Sequence, residues 1–371
     1  MSRFTQAVVS LSNLRHNIDV LRGCLGSNTG FLAVVKSNAY GHGLEEISVC
    51  ALSHGATMLG VSCYEEGLRL RQAGIQAPVL LLGACEPGNA DVAIKQNLSL
   101  TVFDCNTLQD LQNRAHSLGQ PCRIHLKVDT GMNRIGFVTI DSFLQALDTL
   151  LYCPDIIFSG LYTHFACSES KDQSFTILQG KRFRSYVDLA RSRGFSPLVH
   201  ASNSGGILNH PDLKFDMVRS GIAMYGYHPA GLNLETMTLK PVLSLVTQIV
   251  MVKDLGEGEG VSYGLTFVAD RPMRVATLPT GYEDGYRRIL SNRASVLIHG
   301  KRAAQIGTIC MNQMIVDVSN IPEAAPGDEV VLLGTQGGEC ITADELAALA
   351  DTISYEILTG IDPYMPRSYL E

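Results

Sequence analysis

The segment FLAVVK, Phe31–Lys36, is the first of eight short apolar runs separated by longer stretches with helical periodicity. Strands that are apolar along their whole length are typical of a parallel sheet buried on both faces. Eight such βα units in series predict an α/β fold, a (β/α)8 or TIM barrel. The predicted strands are Phe31–Lys36, Thr57–Ser62, Pro78–Gly83, Ser99–Phe103, Arg123–Asp129, Ile156–His164, Leu198–Ser202 and Met217–Tyr225.

The pattern changes after residue 239 to alternating strands broken by Gly and Pro turns, which predicts a second, mostly β domain. We therefore expect a barrel over 11–238 and a β domain over 239–371, whose sheet residues 1–10 could join through Ala7–Ser10. Within the barrel, Tyr64–Ala73 predicts a helix with an ion pair between Glu65 and Arg69. The β domain strands are expected at Val242–Val252, Met273–Thr277, Ala294–Ile298, Ile306–Ile309, Gln313–Val318 and Glu329–Leu333.

Composition excludes several classes of protein. The 371 residues carry a formal net charge of -7 with no Lys/Arg block, so a nucleic acid partner is not expected. No apolar run reaches the roughly 18–20 residues of a membrane span, and Met1–Val9 lacks the layout of a signal peptide. The ten cysteines stand singly, without zinc spacing, and read as reduced thiols in the cytoplasm, with no metal site expected.

Polar residues gather where the predicted strands end, which in a TIM barrel is the mouth that holds the active site. The first strand ends at Lys36, the fifth runs into Asp129–Arg134, and the sixth ends at His164. The seventh strand is followed by Asn203–Gly206, and the eighth contains Arg219–Ile222, in the part of a barrel that often binds phosphate. Their glycines and serines can offer backbone N–H groups and hydroxyls to an anion.

Lys36 carries the sharpest chemical signal, because a lysine that closes an apolar barrel strand is unfavourable unless its charge is used or removed. A covalent bond between its amine and a carbonyl group would remove that charge. A lone lysine at a strand end more often extends to water, so the interpretation depends on the surrounding cluster Val34–Gly43.

Taken together, these segments resemble the alanine racemases, pyridoxal-phosphate enzymes with a barrel followed by a β domain. The resemblance covers nearly the whole chain. The matching segments are Ala33–Gly43, Lys127–Gly136, Thr163–Ala166, Asn203-Ser204, Val218–Gly226, Ser262–Gly264, Cys310–Gln313 and Thr352–Glu356.

The resemblance implies that Lys36 bonds covalently to pyridoxal 5'-phosphate and that Asn203 and His164 also lie at the cofactor. It assigns the cofactor phosphate to hydroxyls and backbone amides, those of Tyr40, Ser204, Gly221, Ile222 and Tyr355. Arg219 would face the pyridine nitrogen. A guanidinium only donates, so this nitrogen would remain an acceptor and the cofactor a weaker electron sink, which suits a racemase better than a transaminase.

Racemisation of L- and D-alanine, the implied activity, needs one base on each face of the α-carbon. The resemblance gives the proton of the D-isomer to Lys36 and that of the L-isomer to Tyr263. A phenol with a reference pKa of about 10 is a weak base at neutral pH, so it needs a cationic or hydrogen-bonding neighbour, and the resemblance supplies His164. Taken alone, Tyr263 is more simply explained as a buried aromatic residue at a β-turn.

The same resemblance assigns Arg134 to the substrate carboxylate, for which a guanidinium fork is well suited. Lys127 and Asp129 share a strand face, which permits either an ordinary ion pair or the carbamylated lysine that is frequent in the family. Met311, like Tyr263, is expected to reach the active site of the other subunit. A homodimer with shared active sites follows.

Three positions depart from the family pattern: Gln6 stands where Trp is usual, Leu265 where a basic residue is expected, and Asn312 where Asp is usual. The last two lie in loops that shape the substrate entrance, so serine is the alternative substrate, and it differs from alanine by one hydroxyl. A pyridoxal-phosphate decarboxylase is disfavoured by Arg219, since such enzymes present an acid to the pyridine nitrogen. A non-catalytic cofactor-binding barrel would lack the second domain.

Overall fold

The computed structural model describes residues 4–229, 232 and 237–371. The chain divides into two compact units. The barrel unit comprises Leu14–Ala39 and the described residues of Leu44–Lys240. The β unit comprises the described residues of Met1–Asn13, together with Tyr40–Gly43 and Pro241–Glu371.

The barrel unit contains a closed barrel of eight parallel strands in sequence order, which confirms the predicted fold. Most strand residues are buried, as expected for strands covered on both faces. The strands are β2 (Gly30–Val34), β3 (Met58–Val61), β4 (Val79–Leu81), β5 (Ser99–Val102), β6 (Cys122–Lys127), β7 (Ile156–Tyr162), β8 (Leu198–His200) and β9 (Met217–Ser220).

Several helices of the first 240 residues are capped by local side chains. Asp104 accepts from Thr107 N at 2.8 Å, and Thr139 accepts from Ser142 N at 3.1 Å. None of the described helices combines the length and the apolar character that crossing a bilayer demands. The helices are α1 (Leu11–Gly23), α3 (Leu44–Ser53), α4 (Tyr64–Gln72), α5 (Ala90–Lys95), α6 (Cys105–Leu118), α7 (Ile140–Leu150), α8 (Ser174–Ser192) and α9 (Ser204–Asn209). The short element α2 (Lys36–Tyr40) is a turn with left-handed backbone angles.

Two details of the barrel differ from the sequence-based expectation. The eighth strand, expected to reach Tyr225, ends at Ser220, because the Gly221 and Ala223 amides turn to the Ser204 hydroxyl and a 3-10 helix, Ile222–Tyr225, follows. The expected pair between Glu65 and Arg69 was also wrong. Arg69 instead makes two hydrogen bonds of 3.0 Å to Glu45 on the neighbouring helix α3.

The β unit is built on a ten-stranded sheet in the order β11-β14-β17-β16-β15-β18-β10-β1-β20, with β19 paired to β18. β12 and β13 form a separate two-stranded ribbon. The strands are β1 (Gln6–Ser10), β10 (Leu243–Gln248), β11 (Met251–Leu255), β12 (Gly260–Val261), β13 (Phe267–Val268), β14 (Met273–Leu278), β15 (Ser295–Ile298), β16 (Lys301–Ile306), β17 (Met314–Asp317), β18 (Glu329–Gln336), β19 (Glu339–Ile341) and β20 (Arg367–Leu370).

β1 lies inside this sheet, antiparallel to β10 and parallel to β20. The expected strand Val242–Val252 is two strands, because the chain turns at Ile249, whose N–H donates to Asp328 O. The expected strand Ile306–Ile309 was wrong: β16 ends at Ile306, and Gly307 takes a left-handed φ of 72° that breaks the ladder. Two helices, α10 (Ala343–Leu349) and α11 (Ser354–Thr359), complete the unit.

Candidate active site

Lys36 follows the end of β2 and is partly buried. The next four residues, Ser37 to Tyr40, all have left-handed backbones, with φ between 52° and 55°. Each such residue costs about 1–2 kcal/mol relative to a right-handed one. Burial and the nearby Arg134 lower the pKa of Lys36, while Glu66 acts in the opposite direction. The amine is therefore more readily neutral than an exposed lysine, as a nucleophile requires.

Arg219 lies on β9 in the barrel interior and is only 2% exposed. Its guanidinium donates to Thr163 O at 2.7 Å, to Ala201 O at 2.8 Å and to His200 Nδ1 at 2.8 Å. Burial lowers the pKa of Arg219 to about 10, so it remains a cation at neutral pH. No carboxylate is among these partners, and the cation is held by neutral acceptors alone.

A buried chain of hydrogen bonds runs from Arg219 through His200 to His125. Because a guanidinium only donates, His200 Nδ1 must accept, which leaves the proton on Nε2. That nitrogen lies 2.9 Å from His125 Nδ1 and donates to it. Burial, with Arg219 adding to it, lowers the pKa of His125 to about 3, and both rings are neutral donors and acceptors. Gly160 leaves room for this chain, since a Cβ there would meet His125 Nδ1 at 2.2 Å.

The loop after β6 is folded around Asp129, whose carboxylate accepts from the amides of Gly131, Asn133 and Arg134 at 2.8 to 3.1 Å. Although burial acts against it, these amides hold the pKa of Asp129 below its ordinary value. The Arg134 side chain is exposed and has no partner within the described ranges. It is thus free to bind an anion such as a carboxylate.

Lys127 does not pair with Asp129, although the sequence permitted that pair. Lys127 Nζ instead donates to Ile135 O at 2.9 Å. Burial and the cation Arg219 lower the pKa of Lys127 to about 8, against a smaller opposing effect of Asp129. A substantial fraction of this amine is therefore neutral near pH 8.

Ser204 begins the short helix α9 and is 5% exposed. Its Oγ accepts from Gly221 N at 3.0 Å and from Ala223 N at 3.3 Å. The hydroxyl hydrogen must therefore point elsewhere, and it has no acceptor in the described part of the chain. Asn203, predicted beside it, caps the helix through Gly206 N at 3.0 Å and lies 3.5 Å from His164 Nε2.

His164 lies beside the same arginine, with its Nδ1 3.3 Å from Arg219 Nη2. Burial and the surrounding cations, Arg219 first, hold the pKa of His164 well below its ordinary value. His164 is therefore a neutral ring at pH 7. It can accept a hydrogen bond but does not supply positive charge.

The remaining predicted residues belong to the β unit, where they form two pairs. The Tyr40 and Tyr355 rings pack with their centroids 6.1 Å apart. Tyr263 and Met311 line an open surface pocket of about 520 Å³ together with Cys310 and Gln313. Tyr263 is 73% exposed in the single chain, so it is not the buried aromatic residue that its position alone suggested.

Three contributors to the barrel interior were missed by sequence reasoning: His125, Tyr162 and His200. Tyr162 stacks on His200 with centroids 4.8 Å apart and an interplanar angle of 5°, and the Arg219 guanidinium lies 5.2 Å from its ring. The available signal was a polar side chain within a strand that is otherwise apolar. Each of the three lies within a predicted strand, away from the strand ends to which the active site of a barrel was assigned.

A closed eight-stranded barrel with its charged groups gathered at the strand ends is the architecture of a barrel enzyme. Residues 9–229 match the family described as "Alanine racemase, N-terminal domain", and residues 242–369 match "Alanine racemase, C-terminal domain". The chain belongs to the alanine racemase family.

Individual relatives agree over the full length. The chain is 43% identical to an alanine racemase of Symbiobacterium thermophilum, with 99% of this chain and 97% of that protein covered. The solved alanine racemase of Clostridium difficile 630 has a TM-score of 0.95 and 33% identity, over 100% and 97% of the two chains. A histidine racemase from Leuconostoc mesenteroides shares the fold with a TM-score of 0.92 and 28% identity, over 100% and 98%.

Proposed function

We propose that the protein is a pyridoxal-phosphate-dependent racemase that interconverts L- and D-alanine through two bases, Lys36 and Tyr263. The observation that carries the proposal is Arg219, a buried cation whose contacts are all neutral acceptors. Such a donor suits a ligand nitrogen that must remain unprotonated. It distinguishes this site from a site in which a carboxylic acid contacts the ligand nitrogen.

The donor set fits each part of pyridoxal phosphate. The lowered pKa of Lys36 favours a neutral amine for the carbonyl carbon of the cofactor, and Arg219 offers N–H groups to the ring nitrogen. The Ser204 hydroxyl hydrogen, which has no acceptor among the described residues, suits a phosphate oxygen. By family resemblance we assign Tyr40, Tyr355 and the Gly221 and Ile222 amides to the same phosphate end, and Asn203 to the cofactor. The Gly221 amide also donates to Ser204 Oγ. When bound, the cofactor withdraws electrons from the α-carbon of the substrate and acidifies its hydrogen.

Separate residues of the chain bind the substrate and transfer the proton on each face of the α-carbon. Arg134 binds the substrate carboxylate and fixes the orientation of the α-carbon. Lys36 removes or returns the α-proton on one face, and Tyr263 does so on the other. Because Arg219 donates to His164 Nδ1, the proton of the neutral ring lies on Nε2, and any hydrogen bond between His164 and Tyr263 would be donated by Nε2 to the phenolic oxygen.

Alanine is the substrate we propose. The relative from Symbiobacterium thermophilum and the solved structure from Clostridium difficile are both named alanine racemase, and both are more similar in sequence to this chain than the histidine racemase is. Serine is not favoured, although Leu265 and Asn312 depart from the family pattern. The test is to follow loss of chirality with a panel of L-amino acids and added pyridoxal phosphate. L-alanine is expected to give the highest kcat/KM; a higher value for serine or histidine would contradict the proposed substrate.

We further propose that Lys127 carries a carbamate formed with carbon dioxide. A neutral amine is the form that reacts, and the pKa of about 8 makes this form abundant at mildly alkaline pH. The carbamate would place an anion beside Arg134 and Arg219. With 13C-labelled bicarbonate, NMR is expected to show a protein carbamate signal that is lost in Lys127→Ala and grows as pH rises from 7 to about 8. An identical signal in Lys127→Ala would contradict the assignment.

Replacing Arg219 with an acid tests the assignment of the ring nitrogen. Arg219→Glu should protonate that nitrogen and strengthen electron withdrawal, so that more substrate is lost to transamination. The measurement is pyruvate released from alanine per racemisation event, expected to rise about tenfold or more. If cofactor is retained and this ratio stays at the wild-type value, Arg219 does not face the ring nitrogen.

We propose a homodimer in which Tyr263 and Met311 complete the active site of the partner subunit. The support is exposure: a proton-transfer group needs shielding from water, yet Tyr263 is 73% exposed and Met311 52% exposed in the single chain.

A complementation experiment tests the shared site. Lys36→Ala and Tyr263→Phe are each expected to be inactive, but a mixture should form heterodimers with one intact site. Equal mixing after reversible dissociation should therefore restore about a quarter of wild-type activity. A mixture no more active than either variant alone would place both residues in the site of a single subunit.

A further inference from the structure

Glu66 is a buried carboxylate that the proposed chemistry does not use. It lies in the first turn of α4 and is 9% exposed, whereas the adjacent Glu65 is exposed. Acidic side chains are seldom buried to this extent unless they are paired or fully hydrogen-bonded. The contacts of Glu66 therefore indicate what the residue does.

The carboxylate joins the chain after β2 to the chain after β3. Its Oε1 accepts from Asn38 N at 3.2 Å. Its Oε2 accepts from Ser62 N at 2.9 Å and from Ser62 Oγ at 2.8 Å. All three partners are donors, which suits the ionised, acceptor-only form of the side chain.

Asn38 is the second of the four left-handed residues after Lys36. Its N–H is bound by Glu66, and its side-chain Oδ1 accepts from Leu44 N at 3.1 Å at the start of α3. None of these four residues is glycine, so the backbone is strained at each position and needs contacts that hold it. Glu66 supplies such a contact from helix α4, at Asn38, two residues after Lys36.

We propose that Glu66 is a positioning residue, whose carboxylate fixes the left-handed turn α2 and thereby holds Lys36 in the orientation required to bond the cofactor. This role rests on the proposed function of Lys36. Glu66 has a second effect through its charge, since it opposes the lowering of the Lys36 pKa caused by burial and Arg134.

Two substitutions separate geometry from charge. Glu66→Gln keeps the side-chain length but loses the charge and places an amide NH2 group against hydrogen-bond donors. Glu66→Asp keeps the charge, but its side chain is too short to contact both Asn38 and Ser62. Full-length apoprotein is mixed with pyridoxal phosphate at a pH high enough to keep Lys36 neutral in every variant, and the visible absorbance of lysine-bound cofactor is followed. The rate should be about tenfold lower for both variants. Glu65→Gln, one residue away and exposed, is the matched control and should bond the cofactor at the wild-type rate.

A glycine rescue tests the turn itself. Ser37→Gly removes left-handed strain at an exposed position without creating a cavity. Added to Glu66→Gln, it should recover the bonding rate to within about threefold of wild type. Failure of this rescue would overturn the claim that Glu66 acts by holding the turn. If Glu66→Gln does not fold, Ser62→Ala removes one of the three donors, and a rate equal to wild type in that variant would also overturn it.

Competitive acetylation of the apoprotein, with Lys36 followed by mass spectrometry, gives a readout that needs no cofactor. Losing the neighbouring charge should lower the Lys36 pKa in Glu66→Gln, whereas Glu66→Asp should keep the wild-type profile. An unchanged profile in Glu66→Gln, together with a wild-type bonding rate, would overturn the proposal. Borohydride reduction and peptide mapping of wild type test the proposed function separately: a cofactor label on another lysine would overturn the role of Lys36, while the acetylation profile would still report on Glu66.

Discussion

Lys36→Ala is expected to lose both the visible absorbance of lysine-bound cofactor and racemisation, the latter by at least about a thousandfold. Lys36 is proposed both to bond the cofactor and to serve as the base on one face, so a single substitution removes two functions. Its amine is partly buried and its pKa is lowered, which are the properties that such a nucleophile requires. Absorbance spectra and chiral chromatography of alanine measure the two losses on the same sample.

The control is Lys95→Ala, which removes an exposed lysine from the end of α5 in the same unit. It should keep the wild-type spectrum and rate. A Lys36→Ala protein that binds cofactor with an unchanged spectrum would show that another lysine forms the bond.

Tyr263→Phe is expected to lower kcat by about 10² to 10⁴ in both directions. The phenol is proposed to take the proton of L-alanine and to return it when D-alanine is the starting substrate, so microscopic reversibility links the two losses. The aromatic ring remains in the variant, and cofactor binding should not change. Tyr364→Phe, which alters an 87% exposed tyrosine of the same unit, should behave as wild type.

Much of the barrel could be predicted from the sequence because its strands are short, apolar and buried on both faces. Barrel geometry brings strand ends to one mouth, so Lys36, His164 and Arg219 could be placed near one another from their positions alone. The end of the last strand could not be predicted. It is set by the Ser204 hydroxyl at the start of helix α9, which accepts from the amides of Gly221 and Ala223, 17 and 19 residues later in the chain.

Side-chain contacts across the barrel could not be predicted. They depend on strand register and side-chain rotamers, which the hydrophobic periodicity of a sequence does not indicate. His125 and His200 are 75 positions apart, yet they share a hydrogen bond. The pairing of β6 with β7 shifts register between Ile124 and His125, which brings His125 opposite Gly160. The left-handed turn after Lys36 was equally hidden, since it contains no glycine before Gly41. The burial of Glu66 could not be predicted either, because Glu66 is one of several charged residues in helix α4, a pattern typical of an exposed helix.

The most direct test of the two-base mechanism is exchange of the α-hydrogen of alanine with deuterated solvent in Tyr263→Phe, measured by NMR for each isomer. With Lys36 intact, D-alanine is expected to exchange its α-hydrogen without inversion, because Lys36 can remove and return a proton on its own face. L-alanine should exchange at least about tenfold more slowly, since its proton lies on the face that lost its base. Equal loss of exchange from both isomers would contradict the mechanism and leave Tyr263 as a residue that only positions the substrate.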